Sequence, residues 1–169
     1  MRRYFLSSIA VVAFVLVLPS SFTWLAAAQP KPAPDVAVQT ADGSTVRLST
    51  FTGKVVLVDF WASWCTSCRS SFPALDAIYN DYHARGLEVM AVNLDEKRRD
   101  AEAFLDRYPH RMTVMFDPTG SSAQKFGVKG MPTSFLIDRG GVIRFTHVGY
   151  GGEVAATYRQ EIATLLAEH

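Results

Sequence analysis

The most constraining stretch of the chain is Val55-Val56-Leu57-Val58-Asp59-Phe60, which follows Lys54. Its apolar residues are consecutive and mostly β-branched, so an extended strand here is apolar on both faces. Such a strand needs cover on both sides, which points to a central, parallel-type position in an α/β sheet. Asp59 is the one misfit. Trp61-Ala62-Ser63-Trp64-Cys65-Thr66-Ser67-Cys68 comes next, after which Phe72, Leu75, Ile78, Tyr79 and Tyr82 recur at helical spacing up to Gly86. Strand therefore passes into helix at a cysteine pair. Pro73 removes a backbone donor inside that helix and predicts a kink.

The rest of the chain extends the same alternation. Leu87 to Leu94 reads as a second buried strand, and Ala101, Phe104, Leu105 and Tyr108 as one face of a helix ended by Pro109. Met112 to Phe116 is a short strand, Asp117-Pro118-Thr119-Gly120 a turn, and Ser122 to Phe126 one or two helical turns before Gly127. Thr133 to Ile137 and Val142 to Val148 form a hairpin around Asp138-Arg139-Gly140-Gly141. Val154, Tyr158, Ile162, Leu165 and Leu166 give a closing amphipathic helix. At the front, Val36 to Gln39 and Thr45 to Leu48 flank Asp42-Gly43, a dipeptide suited to a tight hairpin turn. The expected fold class is α/β, a mixed central sheet with helices on both faces and an N-terminal β-hairpin.

Upstream, Met1-Arg2-Arg3 is a short basic start, no charge follows until Lys31, and Ala26-Ala27-Ala28 closes an apolar stretch. That is the layout of a secretory signal cut before Gln29. The rival reading keeps Tyr4 to Ala28 as a membrane anchor, because this uncharged run is long enough to span a bilayer. Either way the remainder is exported, to the periplasm or an equivalent compartment. Residues 1–28 are thus expected to be signal or anchor, the proline-rich segment 29–34 an extended linker, and 35–169 a single domain. Lys and Arg number 17 against 16 Asp and Glu, a balance with no basic footprint for nucleic acid.

The two cysteines, Cys65 and Cys68, are too few for a disulfide framework or a four-thiolate zinc site. None of the four histidines is paired at metal spacing, so no metal and no cofactor are expected. At a helix start, unpartnered backbone N–H groups stabilise a thiolate and lower a cysteine pKa from about 8.5 into the range of about 3.5 to 7.5. Spacing of i and i+3 puts Cys68 on the same helical face as Cys65, within reach of a disulfide. Cys65 can then attack a substrate disulfide, and Cys68 can resolve the mixed disulfide. Asp59 lies on the preceding apolar strand, where burial raises a carboxyl pKa and suits it to carry a proton for Cys68.

Val58-Asp59-Phe60-Trp61-Ala62-x-Trp64-Cys65-x-x-Cys68 resembles the active-site strand and helix start of the thioredoxin family. The front hairpin, Gly53-Lys54-Val55-Val56-Leu57, the extra helix between Glu96 and Tyr108, and Met131-Pro132-Thr133 before Phe135-Leu136-Ile137-Asp138 resemble its TlpA/ResA-like redoxin branch. The resemblance covers residues 35–169. It implies a thioredoxin fold, a nucleophile at Cys65, a resolving thiol at Cys68, a buried acid at Asp59 and a cis Met131-Pro132 bond flanking the cysteines. The Met131 backbone would pair with a substrate chain beside Pro132. Trp64, apart from the resemblance, reads as a packing and shielding group around the cysteines, with substrate contact as its alternative role. Two positions depart from the branch: Ser67 stands where it has Pro, and Ser71 where it has Glu.

The expected activity is an exported thiol:disulfide oxidoreductase acting on protein substrates, a disulfide reductase recharged by a membrane electron donor. Oxidase chemistry is the same reaction run backwards. A Cu(I)-binding metallochaperone is the rival of a different class, with Met131 as its one candidate third ligand. Trp61 reads as packing around the cysteines, Arg69 as solvated, His147 as structural, and Asp95 to Asp100 as an exposed helix start.

Overall fold

The computed structural model describes residues 31–168, so the signal or anchor expected over residues 1–28 lies outside the described residues. Eight strands form one sheet: β1 (Lys31–Pro32), β2 (Ala37–Gln39), β3 (Thr45–Arg47), β4 (Val55–Trp61), β5 (Leu87–Asn93), β6 (Thr113–Phe116), β7 (Thr133–Ile137) and β8 (Val142–Val148), in the order β1-β8-β7-β4-β5-β6-β2-β3. β4 runs parallel to β5 and antiparallel to β7, while β5 and β6 are parallel. The sheet is thus mixed, with β4 central and every one of its seven residues buried. Four α-helices accompany it: α1 (Cys68–Tyr82), α2 (Arg98–Leu105), α3 (Ser121–Phe126) and α4 (Val154–Ala167).

Alternation along β4 divides the interior in two. Leu57 and Trp61 face a cluster built with Cys65, Cys68, Phe72, Leu75 and Ile78 of the α1 region, Phe104 of α2, and Tyr158, Ile162 and Leu165 of α4. Val56, Val58 and Phe60 face the other cluster, closed by Val36 and Val38 at the front and by Ala123 and Phe126 of α3. Helices therefore cover both faces, and the cysteines belong to the face covered by α1, α2 and α4.

Local signals account for most of the element ends. Asp42-Gly43 turns the β2–β3 hairpin, with Gly43 at φ +83° and the Asp42 carboxylate accepting the Ser44 N–H at 3.0 Å. Gly86, at φ +101°, ends the turn after α1 in the left-handed region, and its carbonyl accepts the Val55 N–H as β4 begins. α1 continues past Pro73 to Tyr82. α2 stops at Leu105, earlier than the apolar spacing through Tyr108 suggests, because turn-type bonds from Arg107 to Phe104 and from Tyr108 to Leu105 follow it.

The described part of the proline-rich segment lies along the sheet edge. Lys31 and Pro32 pair with Ile143 and Val142 at the sheet edge, and the Ala33 N–H donates to Gly141 O at 2.9 Å. An edge position tolerates proline, which lacks a donor, so Lys31 and Pro32 are extended as expected and also pair with the sheet. No helix among the described residues is long and apolar enough to cross a membrane.

Candidate functional site

β4 delivers the chain to the site through Trp61, after which the loop from Ala62 to Ser67 carries the first cysteine. Cys65 and Cys68 are joined by a disulfide, their Cα atoms 5.3 Å apart. The expectation that both cysteines share one helical face is corrected in detail. α1 begins only at Cys68, and Cys65 sits in the turn before it. There the Cys68 N–H donates to Cys65 Sγ at 3.2 Å, and i to i−3 bonds from Arg69 to Thr66 and from Ser70 to Ser67 tighten the helix start. Cys65 keeps 6% of its surface exposed and Cys68 none, so the first sulfur is the one nearer to solvent.

Of the two residues between the cysteines, Ser67 contacts the first sulfur. Ser67 Oγ lies 3.6 Å from Cys65 Sγ, so its hydroxyl and the Cys68 N–H both face the Cys65 sulfur of the disulfide. Ser71 is buried and its hydroxyl donates to Cys68 O at 3.3 Å, so the position that carries Glu in the resembled branch holds a helix contact here.

Asp59 stands on the same face of β4 as Leu57 and Trp61, directly opposite Ser134 in the register with β7. It is 1% exposed, and Ser134 Oγ donates to its Oδ1 at 2.5 Å. Burial pushes its pKa up to about 7, against the lowering effect of the serine hydrogen bond. Its Oδ2 and the indole Nε1 of Trp61 are the buried polar side-chain atoms without a hydrogen-bond partner among the described residues. Both belong to the β4 face that carries the cysteines.

Trp64, the residue before the nucleophile position, is 66% exposed. The Met131-Pro132 bond is cis, Pro132 is buried, and Met131 is half-buried against the cluster that holds both cysteines. Pro132 O accepts the Gly149 N–H at 2.8 Å, which ties this turn to the end of β8. Trp61 packs on Phe72 and Phe104 at ring centroid distances of 5.0 and 4.7 Å, confirming it as a packing residue. Arg69 is exposed. His147 bonds Glu161 at 2.7 Å and sits edge-on to Tyr158.

The structure brings in residues that periodicity alone did not mark. Asp95, expected in an exposed charge cluster, is buried. Its carboxylate accepts the Ser63 N–H at 3.0 Å, the Ser63 hydroxyl at 3.0 Å and the Asn93 amide at 2.8 Å. The end of β5 thereby anchors the loop that carries Trp64 and Cys65. Asp95 directly follows Leu94, and that adjacency to a buried strand is the signal that separates it from the solvated charges after it. Ser134 and Tyr158 are also part of the site: Tyr158 OH donates to Ser134 Oγ at 2.8 Å. Among the described residues no three His, Cys, Asp or Glu side chains come together as a metal site.

Similarity to known proteins agrees with this arrangement. A thiol-disulfide oxidoreductase ResA of Geobacillus thermodenitrificans is 32% identical over 112 residues, 66% of this chain and 64% of that protein. The thioredoxin-like protein YneN of Bacillus subtilis is 36% identical over 120 residues, 69% of each chain. The chain thus spans about two thirds of the length of these relatives. Among solved structures, a Chlorobium tepidum protein assigned as thiol:disulfide interchange protein DsbE superimposes with a TM-score of 0.79 at 47% identity, over 82% of this chain and 97% of that one. With β4, the cysteine turn, α1 and the cis-proline turn arranged as in a thioredoxin fold, and the redoxin family pattern matching residues 28–162, the chain belongs to the redoxin family.

Proposed function

We propose that this protein is a thiol:disulfide oxidoreductase that reduces disulfides in other proteins through Cys65 and Cys68. The observation that carries the reading is the cysteine turn itself: a disulfide at the start of α1, with the sulfur nearer to solvent on Cys65 and the fully buried one on Cys68. The relatives named for thiol-disulfide oxidoreductase or interchange activity support it.

In the forward reaction the Cys65 thiolate attacks one sulfur of a substrate disulfide and expels the other as a thiolate, leaving a mixed disulfide. Cys68 then gives its proton to the Asp59 carboxylate and attacks Cys65 Sγ. The second substrate thiolate leaves, two electrons have passed to the substrate, and Cys65 and Cys68 are joined. A carboxyl group with a pKa of about 7 serves both as acceptor and as donor near neutral pH. Trp64 supplies exposed apolar surface beside Cys65, and the cis-proline turn at Met131-Pro132 offers backbone to an extended substrate segment. In this reading the protein works outside the cytoplasm, in the periplasm or an equivalent compartment. A membrane electron donor restores the dithiol, and residues 4–28 are either an anchor or a removed signal.

Replacing Cys68 by Ser removes the resolving thiol. The expected result is a mixed disulfide through Cys65 that accumulates with protein substrates and dissolves in dithiothreitol. Absence of any trapped partner, with Cys65 still alkylatable, refutes the reading. The equilibrium potential then fixes the direction: a value near the thioredoxin value of about −270 mV gives a reductase, and one near about −120 mV an oxidase.

A further inference from the structure

Asp59 does not stand alone on its face of the sheet. Ser134 Oγ donates to Asp59 Oδ1 at 2.5 Å, and Tyr158 OH donates to Ser134 Oγ at 2.8 Å. All three side chains are buried, each about 1% exposed, and they come from three elements: β4, β7 and α4. The other carboxyl oxygen, Oδ2, has no partner. A carboxyl group with two equivalent free oxygens could rotate and present either to a proton donor, whereas one oxygen held by a directional donor chain fixes which oxygen is left.

We propose that Ser134 and Tyr158 are positioning residues for Asp59, their hydroxyls holding Oδ1 in a two-step donor chain and so reserving Oδ2 for the proton exchanged with Cys68. The inference rests on the dithiol reading above and deepens it. The transfer is a proton movement alone: the S–H bond of Cys68 breaks, an O–H bond forms at Oδ2, and the electron pair left on sulfur makes the attacking thiolate. Burial pushes the Tyr158 phenol well above its ordinary pKa, so it remains a donor across the working pH range. Each donor in the chain stabilises the ionised carboxyl, and the Tyr158 bond polarises the serine hydroxyl that makes the second contact. Removing either hydroxyl therefore raises the pH at which Asp59 ionises. It also frees the carboxyl to turn.

Other groups facing this chain are Cys68 at the start of α1, His147 of β8 with its partner Glu161 of α4, and Tyr150, whose charge and that of Glu161 act on Tyr158. The test therefore uses the full chain and follows two readouts over a pH series. One is the carboxyl 13C shift of Asp59 in the oxidised protein, and the other is the single-turnover rate of the dithiol with oxidised glutathione. Tyr158→Phe keeps the ring in the core and removes only the donor. Ser134→Ala removes the central hydroxyl, and Ser134→Thr returns one.

The expected result is an upward shift of the Asp59 inflection by about one pH unit in Ser134→Ala and a smaller one in Tyr158→Phe, with the rate profile moving in parallel. Ser134→Thr returns both toward wild type, Asp59→Asn abolishes the inflection in rate, and His147→Gln leaves it in place. If Asp59→Asn removes the inflection while Tyr158→Phe and Ser134→Ala match wild type, the donor chain is refuted and the role of Asp59 stands. An inflection that survives Asp59→Asn, or disappears in His147→Gln, refutes the chain together with the proton-carrier role. Tyr158→Phe decides the matter if Ser134→Ala does not fold.

Discussion

Replacing Asp59 by Asn changes how the stability of this protein depends on pH, and the structure sets the size and sign of the change. Asp59 is buried on the central strand, with a folded-state pKa raised from 3.8 to about 7. The folded protein therefore binds a proton that the unfolded chain has already released between about pH 4 and pH 7. Over that window the stability of the wild type falls as pH rises. Below pH 4 both states hold the proton and no penalty applies, whereas above pH 7 the full penalty is present. A difference of about three pKa units is worth about 4 kcal/mol at 1.36 kcal/mol per unit.

The variant lacks this dependence. Its amide oxygen can still accept from Ser134, and burying its uncharged NH2 group in place of Oδ2 carries a cost that is constant with pH. Asp35 and Asp117 have pKa values held down by hydrogen bonds, and Asp42 is lowered to about 2. Those groups contribute stability present above the unfolded pKa and lost in acid, and they cancel between wild type and variant. Urea unfolding of the disulfide-bonded protein at steps from pH 4 to pH 8, fitted with a common m-value, measures the difference. The gap between the two proteins should move in favour of Asn by about 4 kcal/mol across the window. Parallel stability curves would show that Asp59 is not a buried, raised carboxyl, and would remove its proton-carrier role as well.

Two further substitutions test the surroundings of the cysteines. Ser67→Ala removes the hydroxyl facing Cys65 Sγ, which should raise the Cys65 thiol pKa by up to about one unit and lower the pair's potential by up to about 30 mV, read by thiolate absorbance and by glutathione equilibration. Asp95→Ala strips the partner from the Ser63 N–H and hydroxyl and from the Asn93 amide. It should cost about 3 kcal/mol in urea unfolding and loosen the loop before Cys65, seen as faster amide exchange at Ser63.

Much of this architecture is legible in the residues because local and global demands agree. The run from Val55 to Phe60 could only be a doubly covered strand, and β4 is buried along its whole length. Asp42-Gly43 specifies a hairpin turn, and the apolar spacing in α1 and α4 marks the faces that Phe72, Leu75, Tyr158 and Ile162 bury. The less legible features depend on contacts distant in sequence. Asp95 resembles its charged neighbours until the sheet places it under Ser63, thirty-two positions away in the chain. Ser134 and Tyr158 read as a strand serine and a helix aromatic, and only the register of β7 against β4 and the packing of α4 align them with Asp59. The proline leader carries no periodicity from which its pairing with β8 could be read.

The placement of Asp59 carries an argument about why the site sits on this face. An apolar side chain at that position would remove the ionisation penalty and extend the cluster of Leu57 and Trp61, so packing alone does not explain a carboxyl there. The carboxyl has one oxygen held by a hydroxyl and one left without a partner, an arrangement that costs stability when ionised and serves no other contact in the core. Cys68 belongs to that same cluster and is fully buried, so a proton leaving its sulfur needs an acceptor inside the protein rather than in solvent. On the opposite face the buried carboxyl of Glu88 has both oxygens partnered, one by Lys54 Nζ at 3.2 Å and the other by the Thr113 hydroxyl at 2.9 Å. The destabilising residue and the buried thiol thus share one side of the sheet, which is the distribution expected if the stability lost at Asp59 is retained for the chemistry of the cysteine pair.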